Sequence, residues 1–168
     1  MNEDWIDRPA RSLDEAAMAA ATARQDQLTK PRGSLGRLEE LAVRLAGMQG
    51  REWPALDRVR IAVFAADHGV AAEGVSAFPQ SVTVEMIRNF ARGGAAISVL
   101  ARELGAGLEV VDVGADTDPG PMEGVVSRRV AAGTANFCTA PAMSGDELAG
   151  ALAAGREAVE RAVADGTE

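Results

Sequence analysis

The chain has 168 residues, which is enough for one domain with a hydrophobic core. Its formal net charge of -8 argues against a nucleic acid as the main partner, because phosphate binding requires a basic surface. No segment is apolar enough to span a bilayer, the N-terminus (Met1–Asp4) does not resemble a signal peptide and there is one cysteine, so the expected compartment is the cytoplasm.

Two helices are predicted for residues 1–50. Ser12-Leu13-Asp14-Glu15 has the pattern of a capping box, in which a hydroxyl and a carboxylate satisfy the free amides of a first helical turn. Pro31 and Gly33 then interrupt the helical pattern. The second helix is amphipathic, with a solvated charged face expected opposite its apolar stripe of Leu35, Leu38, Leu41, Ala42, Leu45 and Met48.

Residues 51–168 have the alternation that is typical of an α/β domain. One apolar strand is predicted around Ile61 and a second from Leu108 to Val113, with a helical pattern between them. This order predicts a crossover connection and parallel strands. Val125 to Val130 is a third candidate strand, and Arg128 and Arg129 indicate that it lies at an edge of the sheet.

The last predicted helix begins at a second capping box, Ser144-Gly145-Asp146-Glu147. Its apolar periodicity predicts that four residues are buried: Leu148, Leu152, Val159 and Val163. In a parallel α/β fold such a helix normally leads into another strand, and none follows in this sequence. We therefore expect the chain to be the N-terminal part of a longer protein, the alternative being that this helix packs as a terminal element.

The stretch from Phe64 to Gly94 is the strongest candidate for a functional site. The first strand leads into Asp67 and His68, a long loop follows, and a helical pattern begins after Pro79. α/β proteins build their sites at such carboxyl ends of strands. Gly133 and the residues after it indicate a second loop that turns towards the same edge of the sheet.

Several interpretations of these residues stay open on the pattern alone. Asp67 and His68 either face a ligand or brace the loop. Alternatively, Asp67 only caps loop amides and His68 is a packing residue. Phe78 and Met86 are core residues or line a flat apolar pocket for a planar ring. Acidic residues at the second strand end, such as Asp112 and Asp116, line the site or cap turns, and capping is favoured.

Neither a metal nor a cofactor is expected. The chain has one histidine and one cysteine, whereas zinc sites usually use three or four such ligands. The Gly105-Ala106-Gly107 sequence precedes a strand, whereas a dinucleotide fingerprint follows a strand and opens a helix.

Taken together, these segments resemble the N-terminal half of the nicotinate-nucleotide–dimethylbenzimidazole phosphoribosyltransferase family. The most specific pairing is Lys-Pro-Arg-Gly-Ser-Leu-Gly-Arg-Leu-Glu at Lys30–Glu39 with Ala-Asp-His-Gly-Val at Ala66–Val70. The resemblance runs in register from about Leu13 to the last residue. Further matching stretches are Glu73–Val75, Pro79, Val82-Thr83, Met86, Asn89-Phe90, Arg92–Ala96, Val111–Gly114, Gly133-Thr134 and Pro141–Ser144.

The resemblance implies a reaction and a fold. In this family a nitrogen of 5,6-dimethylbenzimidazole attacks the anomeric carbon of nicotinate mononucleotide, so that nicotinate leaves and α-ribazole 5′-phosphate, a precursor of the cobalamin lower ligand, forms. The implied fold is a parallel, three-layer (Rossmann-like) α/β core, incomplete here, in residues 51–168, with residues 1–50 as the helical segment of a small helical domain. A homodimer is implied for the full-length enzyme.

The resemblance also implies a partial site. The substrate-binding residues would be Asp67, His68, Phe78, Pro79 and Met86, while the catalytic residues are unknown because the family's glutamates align beyond residue 168. Some relatives have a serine and a glutamine where this chain has Phe78 and Met86, which leaves an apolar slot without those hydrogen bonds. We therefore expect a chain that is inactive alone. The alternatives are a non-catalytic half that pairs with a separate C-terminal chain, and an unrelated small α/β enzyme using Asp67 and His68.

Overall fold

The structure is a computed structural model that describes residues 5–168. Met1–Asp4, on which the expectation about a signal peptide depends, lie outside the described residues. The described chain forms two compact units: the residues up to Asp57 together with Glu168, and Arg58–Thr167. None of the described helices combines the length and the apolar character that crossing a membrane requires.

The first unit contains two helices, α1 (Glu15–Gln25) and α2 (Arg37–Gln49). Both were predicted, but the capping box at Ser12 is wrong. The N-cap of α1 is Asp14, whose carboxylate accepts a hydrogen bond from the Ala17 amide at 2.9 Å. Because the Asp14 side chain alone accepts from the amide three residues later, α1 begins after Asp14 rather than after Ser12.

Small residues form the contact between α1 and α2. Ala17 and Ala21 of α1 and Ala46 and Gly47 of α2 are buried. A Cβ atom added at Gly47 would lie 2.6 Å from the Met18 Cγ atom, so a larger residue would require the Met18 side chain to shift. The predicted stripe of α2 is only partly buried: Leu35, Leu38, Leu41 and Met48 are exposed, whereas Ala42 and Leu45 are half-buried.

The second unit contains an open, parallel, three-stranded sheet. Its strands are β1 (Arg60–Ala66), β2 (Gly107–Gly114) and β3 (Val125–Ser127), in the order β1-β2-β3. The α/β class and the parallel pairing are therefore confirmed. β3 lies at an edge of the described sheet and is shorter than the predicted Val125–Val130, so that Arg128 and Arg129 follow it. A 3-10 helix, Gly69–Glu73, follows β1, and the α-helices are α3 (Ser81–Ala91), α4 (Ala96–Glu103) and α5 (Gly145–Ala164).

The core of this unit is small and lies between α3 and the sheet. Ile87 of α3, Val110 of β2 and Ala115 are almost fully buried, and Phe90 and Val125 pack against them. The periodicity of α3 thus has two apolar faces. One face enters the core, and the other, which contains Val82 and Met86, lies beside the candidate site; Phe90 borders both.

The capping box of α5 is confirmed, whereas its predicted buried face is wrong. The Ser144 hydroxyl accepts from the Glu147 amide at 3.2 Å, and the Glu147 carboxylate accepts from the Ser144 amide at 2.6 Å. The buried residues of α5 are Ala154 and Ala158. The four residues predicted to be buried form instead an outward face, the apolar α5 stripe: Leu148, Leu152, Val159 and Val163 are 48%, 39%, 63% and 68% exposed.

An ion pair explains the orientation of α5. Arg161 of α5 reaches the buried Glu109 of β2. Because α5 must present this arginine and its alanines to the sheet, its bulkier leucines and valines are turned away.

Candidate functional site

Asp67 joins the ends of the first two strands. It directly follows β1, and its backbone amide donates to the Gly114 carbonyl of β2 at 2.9 Å. Its carboxylate accepts from the Thr83 hydroxyl of α3 at 2.6 Å and from the Asp116 amide at 2.7 Å. The residue is 6% exposed. Asp67 therefore braces the loop after β1, which is one of the alternatives that the sequence left open.

The second predicted loop meets this strand end. The Thr134 amide donates to the Asp67 carbonyl at 3.1 Å, and the Gly69 amide donates to the Thr134 carbonyl at 2.9 Å. His68 and Thr134 thus form a short parallel bridge. A Cβ atom added at Gly69 would lie 2.6 Å from the Asn136 nitrogen, so glycine is required for this close approach. The prediction that both loops turn to the same edge is confirmed.

His68 is exposed and does not pack in the core. Its Nδ1 atom lies 3.3 Å from the Thr134 hydroxyl oxygen, and its backbone carbonyl accepts from the Gln80 side-chain amide at 3.2 Å. The interpretation of His68 as a packing residue is therefore wrong. Its backbone anchors the loop while its imidazole remains accessible.

A concave apolar surface, which we call the apolar slot, opens beside this pair. Its volume is about 530 Å³, within the usual range for small-molecule sites. All five predicted site residues line it: Asp67, His68, Phe78, Pro79 and Met86. Phe78 is 70% exposed, so its ring is available to a ligand rather than buried in the core.

Sequence reasoning missed part of the lining. Phe64 of β1 and Val75 of the loop also line the apolar slot, and both are exposed. The signal that could have identified Phe64 is its place in β1, where alternate residues point to opposite faces of the sheet. Val75 lies next to Ser76, whose hydroxyl donates to the Phe78 carbonyl at 2.8 Å and accepts from the Phe78 amide at 3.2 Å. These two bonds hold the loop that carries the phenylalanine.

The polar groups of the apolar slot are mostly engaged within the protein. The Thr83 hydroxyl binds Asp67 and the Gln80 amide binds the His68 carbonyl. The slot therefore offers aromatic and aliphatic surface with few free hydrogen-bonding groups. Such a surface favours a flat, largely apolar ring.

A smaller cavity of about 170 Å³ lies on the other side of Asp67 and His68, and it is lined mainly by apolar residues. Glu147 of α5 reaches its wall. Hydrogen bonds from the Ser144 backbone amide and then from the Ser144 side chain hold the pKa of the Glu147 carboxyl below its usual value. This carboxylate is thus committed to the helix cap.

The buried acidic residue at the end of β2 serves the fold. The fully buried Asp112 accepts from the Gly114 amide at 3.0 Å and the Ala115 amide at 2.8 Å, and it pairs with Arg129 at 3.1 Å. The capping interpretation of Asp112 is therefore confirmed. Across residues 5–168, no three histidine, cysteine, aspartate or glutamate side chains are arranged to hold a metal ion.

A family described as phosphoribosyltransferase matches residues 10–168, almost the whole chain. The chain belongs to this phosphoribosyltransferase family. The interpretation as an unrelated small α/β enzyme is thereby excluded. The open sheet and the apolar slot described above are thus features of a phosphoribosyltransferase chain.

Individual relatives agree with this assignment. The nicotinate-nucleotide–dimethylbenzimidazole phosphoribosyltransferase of Pseudomonas aeruginosa PAO1 is 58% identical over 168 residues, which are 100% of this chain and 48% of the relative. The protein of the same name from Azotobacter vinelandii is 59% identical over 167 residues, 99% of this chain and 47% of the relative. This phosphoribosyltransferase chain therefore spans about half the length of the curated relatives that it matches.

A solved structure extends the likeness to the fold. The crystal structure of nicotinate-nucleotide–dimethylbenzimidazole phosphoribosyltransferase from Thermus thermophilus superposes with a TM-score of 0.87 at 50% sequence identity. The superposition covers 92% of this chain and 47% of that one. The resemblance seen in the sequence is thereby confirmed at the level of family and fold.

Proposed function

We propose that this chain supplies the benzimidazole-binding part of a nicotinate-nucleotide–dimethylbenzimidazole phosphoribosyltransferase. The observation that carries the proposal is the apolar slot at the carboxyl end of β1, with Phe64, Phe78 and Met86 on its walls. The names of the relatives supply the ligand that such a slot would fit. The proposed substrates of the whole enzyme are nicotinate mononucleotide and a benzimidazole base.

The proposed roles follow from the contacts of each residue. Phe64, Phe78 and Met86 cover the faces and the edge of the ring, while Pro79 holds the loop at the start of α3. The ring nitrogen that attacks the anomeric carbon must be freed of its proton, and this requires a base within hydrogen-bonding distance. Asp67 is the carboxylate in the slot, and both its oxygens already accept internal bonds. A carboxylate base is therefore expected on residues outside the lining of the slot.

A binding titration tests the proposal. The chain is titrated with 5,6-dimethylbenzimidazole by calorimetry, as the wild type and as the variants Phe78→Ala and Phe137→Ala. Phe137 is the matched control, because it is an exposed phenylalanine outside the slot. Phe78→Ala should weaken binding about tenfold, the worth of one lost ring contact, and Phe137→Ala should bind like the wild type. No binding by the wild type, or equal effects of both variants, would contradict the proposal.

An activity assay tests the expectation that the chain alone is inactive. The chain is incubated with nicotinate mononucleotide and the base, and α-ribazole 5′-phosphate is measured. We expect no product, because the lining of the slot offers no free carboxylate. Robust turnover by the chain alone would show that it contains a complete catalytic site.

A second candidate function is that of a non-catalytic half which pairs with a separate C-terminal chain. Two observations favour it. No strand of the described residues pairs with the outer edge of β1, and the apolar α5 stripe is exposed. An open edge and an apolar face are both surfaces on which another polypeptide docks.

Mixing experiments test this second candidate. The chain is mixed with the part of the Pseudomonas aeruginosa relative that lies beyond the aligned residues, and complex formation and product are measured. A stable complex that makes α-ribazole 5′-phosphate would support the pairing, and no complex would contradict it. For the full-length enzyme we also propose a cytoplasmic location, a homodimer, and residues 1–50 as the helical segment of a small helical domain.

A further inference from the structure

Asp67 connects four separate segments at the floor of the apolar slot. Its backbone joins the end of β2 through Gly114 and the second loop through Thr134. Its carboxylate joins α3 through Thr83 and the segment after β2 through Asp116. A residue held at four points has little freedom to turn towards a ligand.

The carboxylate of Asp67 is already committed. One oxygen accepts from the Thr83 hydroxyl and the other from the Asp116 amide, and the distances of 2.6 Å and 2.7 Å are those of strong, charge-assisted bonds. With the residue 6% exposed, turning this carboxylate to a ligand would leave a part-buried amide and hydroxyl without their acceptor. Direct contact between Asp67 and a substrate would therefore cost more free energy than keeping the internal hydrogen bonds.

Thr83 links this brace to the wall of the slot. It lies in the first turn of α3, and Met86 follows it by three residues, which places both on neighbouring positions of one helix face. Both residues line the apolar slot. Gln80, just before the helix, adds a second tie through its bond to the His68 carbonyl at 3.2 Å. The start of α3 is thus fixed to the end of β1 at two points.

We propose that Asp67 is a positioning residue, which sets the place of the Met86 wall through Thr83, rather than a residue that binds the substrate. The proposal rests on the proposed binding of a benzimidazole ring in the apolar slot. It replaces the role that the family resemblance implied for Asp67. The bond from Asp116 matters equally, because it fixes the carboxylate oxygen that Thr83 does not contact.

The test uses the full chain with three variants. Thr83→Val removes only the hydroxyl, and Thr83→Ser restores it. Thr22→Val is the matched control, since Thr22 is also a helical threonine whose hydroxyl donates a bond, at 2.9 Å to the Met18 carbonyl, and it lies outside the slot. Circular dichroism confirms that each variant is folded before binding is measured.

Two readouts distinguish positioning from direct contact. The first is the Kd for 5,6-dimethylbenzimidazole, which Thr83→Val should raise about threefold to tenfold. Without this hydrogen bond the Met86 wall is no longer held in place, so part of the binding free energy is used to order it. The second is measured without ligand by NMR: the exchange rate of the Asp116 amide and the chemical shift of the Met86 methyl group. Both should change in Thr83→Val, return in Thr83→Ser and stay unchanged in Thr22→Val.

The possible outcomes separate the two proposals. Weaker binding with an unchanged Asp116 amide would mean that Thr83 contacts the ring itself, and it would overturn the positioning role. An unchanged Kd in Thr83→Val would overturn it as well. If the wild type does not bind the base, the proposed function fails. The two ligand-free NMR signals then decide the positioning role alone. The role stands if both signals change in Thr83→Val, and it falls if either stays unchanged.

Discussion

Glu109 of β2 and Arg161 of α5 form a two-bond ion pair across 52 residues of sequence. The Arg161 Nε atom lies 2.7 Å from Oε1 of Glu109, and Nη2 lies 3.2 Å from Oε2. The glutamate is 4% exposed. The hydrogen bonds that Arg161 donates to Glu109 raise the pKa of the Arg161 guanidinium above its usual value, so the guanidinium stays charged throughout the ordinary pH range.

Removing the arginine should destabilise the second unit strongly. Arg161→Met leaves the buried Glu109 with Arg60, whose Nη2 atom is 3.8 Å away, as its remaining ionic partner. The free energy of unfolding should fall by about 3 kcal/mol, the cost of breaking a buried pair. Urea denaturation measures it. Arg156→Met is the control: it breaks an exposed pair with Glu160 on the same helix, and it should cost less than about 0.5 kcal/mol.

Replacing both partners should recover most of this loss. The double variant Glu109→Leu/Arg161→Met no longer buries an unpaired carboxylate, and apolar pairs of similar volume are often as stable as a buried ion pair. If the double variant is as unstable as Arg161→Met alone, the buried charge is not the reason for the loss.

Gly69→Ala should disturb the contact between the two loops at the site. The new Cβ atom would lie 2.6–2.7 Å from three backbone atoms of residues 134–136, which cannot move aside as a flexible side chain can. We expect a loss of about 1–3 kcal/mol in unfolding free energy, as for other overpacked sites, together with weaker binding of the base. An alanine that left both quantities unchanged would contradict the described approach of the loops.

Gly155→Ala should stabilise the protein. Gly155 lies inside α5, and a Cβ atom added there meets nothing within 4 Å. Alanine is favoured over glycine in a helix interior by about 0.5–1 kcal/mol. Thermal denaturation should give a higher Tm for this variant, with binding of the base unchanged. A lower Tm would mean that the surface of α5 is more crowded than described.

The cap of α5 should make stability depend on acidity. The pKa of Glu147 is lowered from its usual value of 4.5 by the bonds with Ser144, so the folded state binds this proton more weakly than the unfolded state does. The stabilisation is complete above the usual value and is lost as the pH falls through the lowered pKa. The Tm of Glu147→Gln should thus lie below that of the wild type at neutral pH, and the difference should shrink below pH 4.5. A difference that stays constant in acid would contradict the prediction.

Much of the site could be predicted because its residues share a short stretch of sequence. Asp67 and His68 follow a strand directly, and Pro79 and Met86 mark the start of the next helix. In a parallel sheet the carboxyl ends of the strands meet at one edge, so the second loop at Thr134 could be placed beside them. Local pattern and topology were sufficient here.

The buried face of α5 could not be predicted in the same way. Hydrophobic periodicity identifies an apolar face but not the element that covers it. The sheet side of α5 is defined by alanines, whose signal is weak, and by an ion pair with a residue 52 positions earlier. The same limit applies to α2, where Ala46 and Gly47 are buried while Leu38 and Leu41 are exposed.

Because the apolar α5 stripe faces outward, the residues that folding requires in α5 differ from the residues that a covering surface would require. Folding of this unit depends on Ala154 and Ala158, so substitution of Leu152 or Val159 by a polar residue should leave the isolated chain folded. Any pressure to keep these positions apolar must therefore come from whatever surface covers them in the cell. In a library of random variants, positions that tolerate lysine for folding but not for binding of a partner polypeptide would trace the outline of that surface.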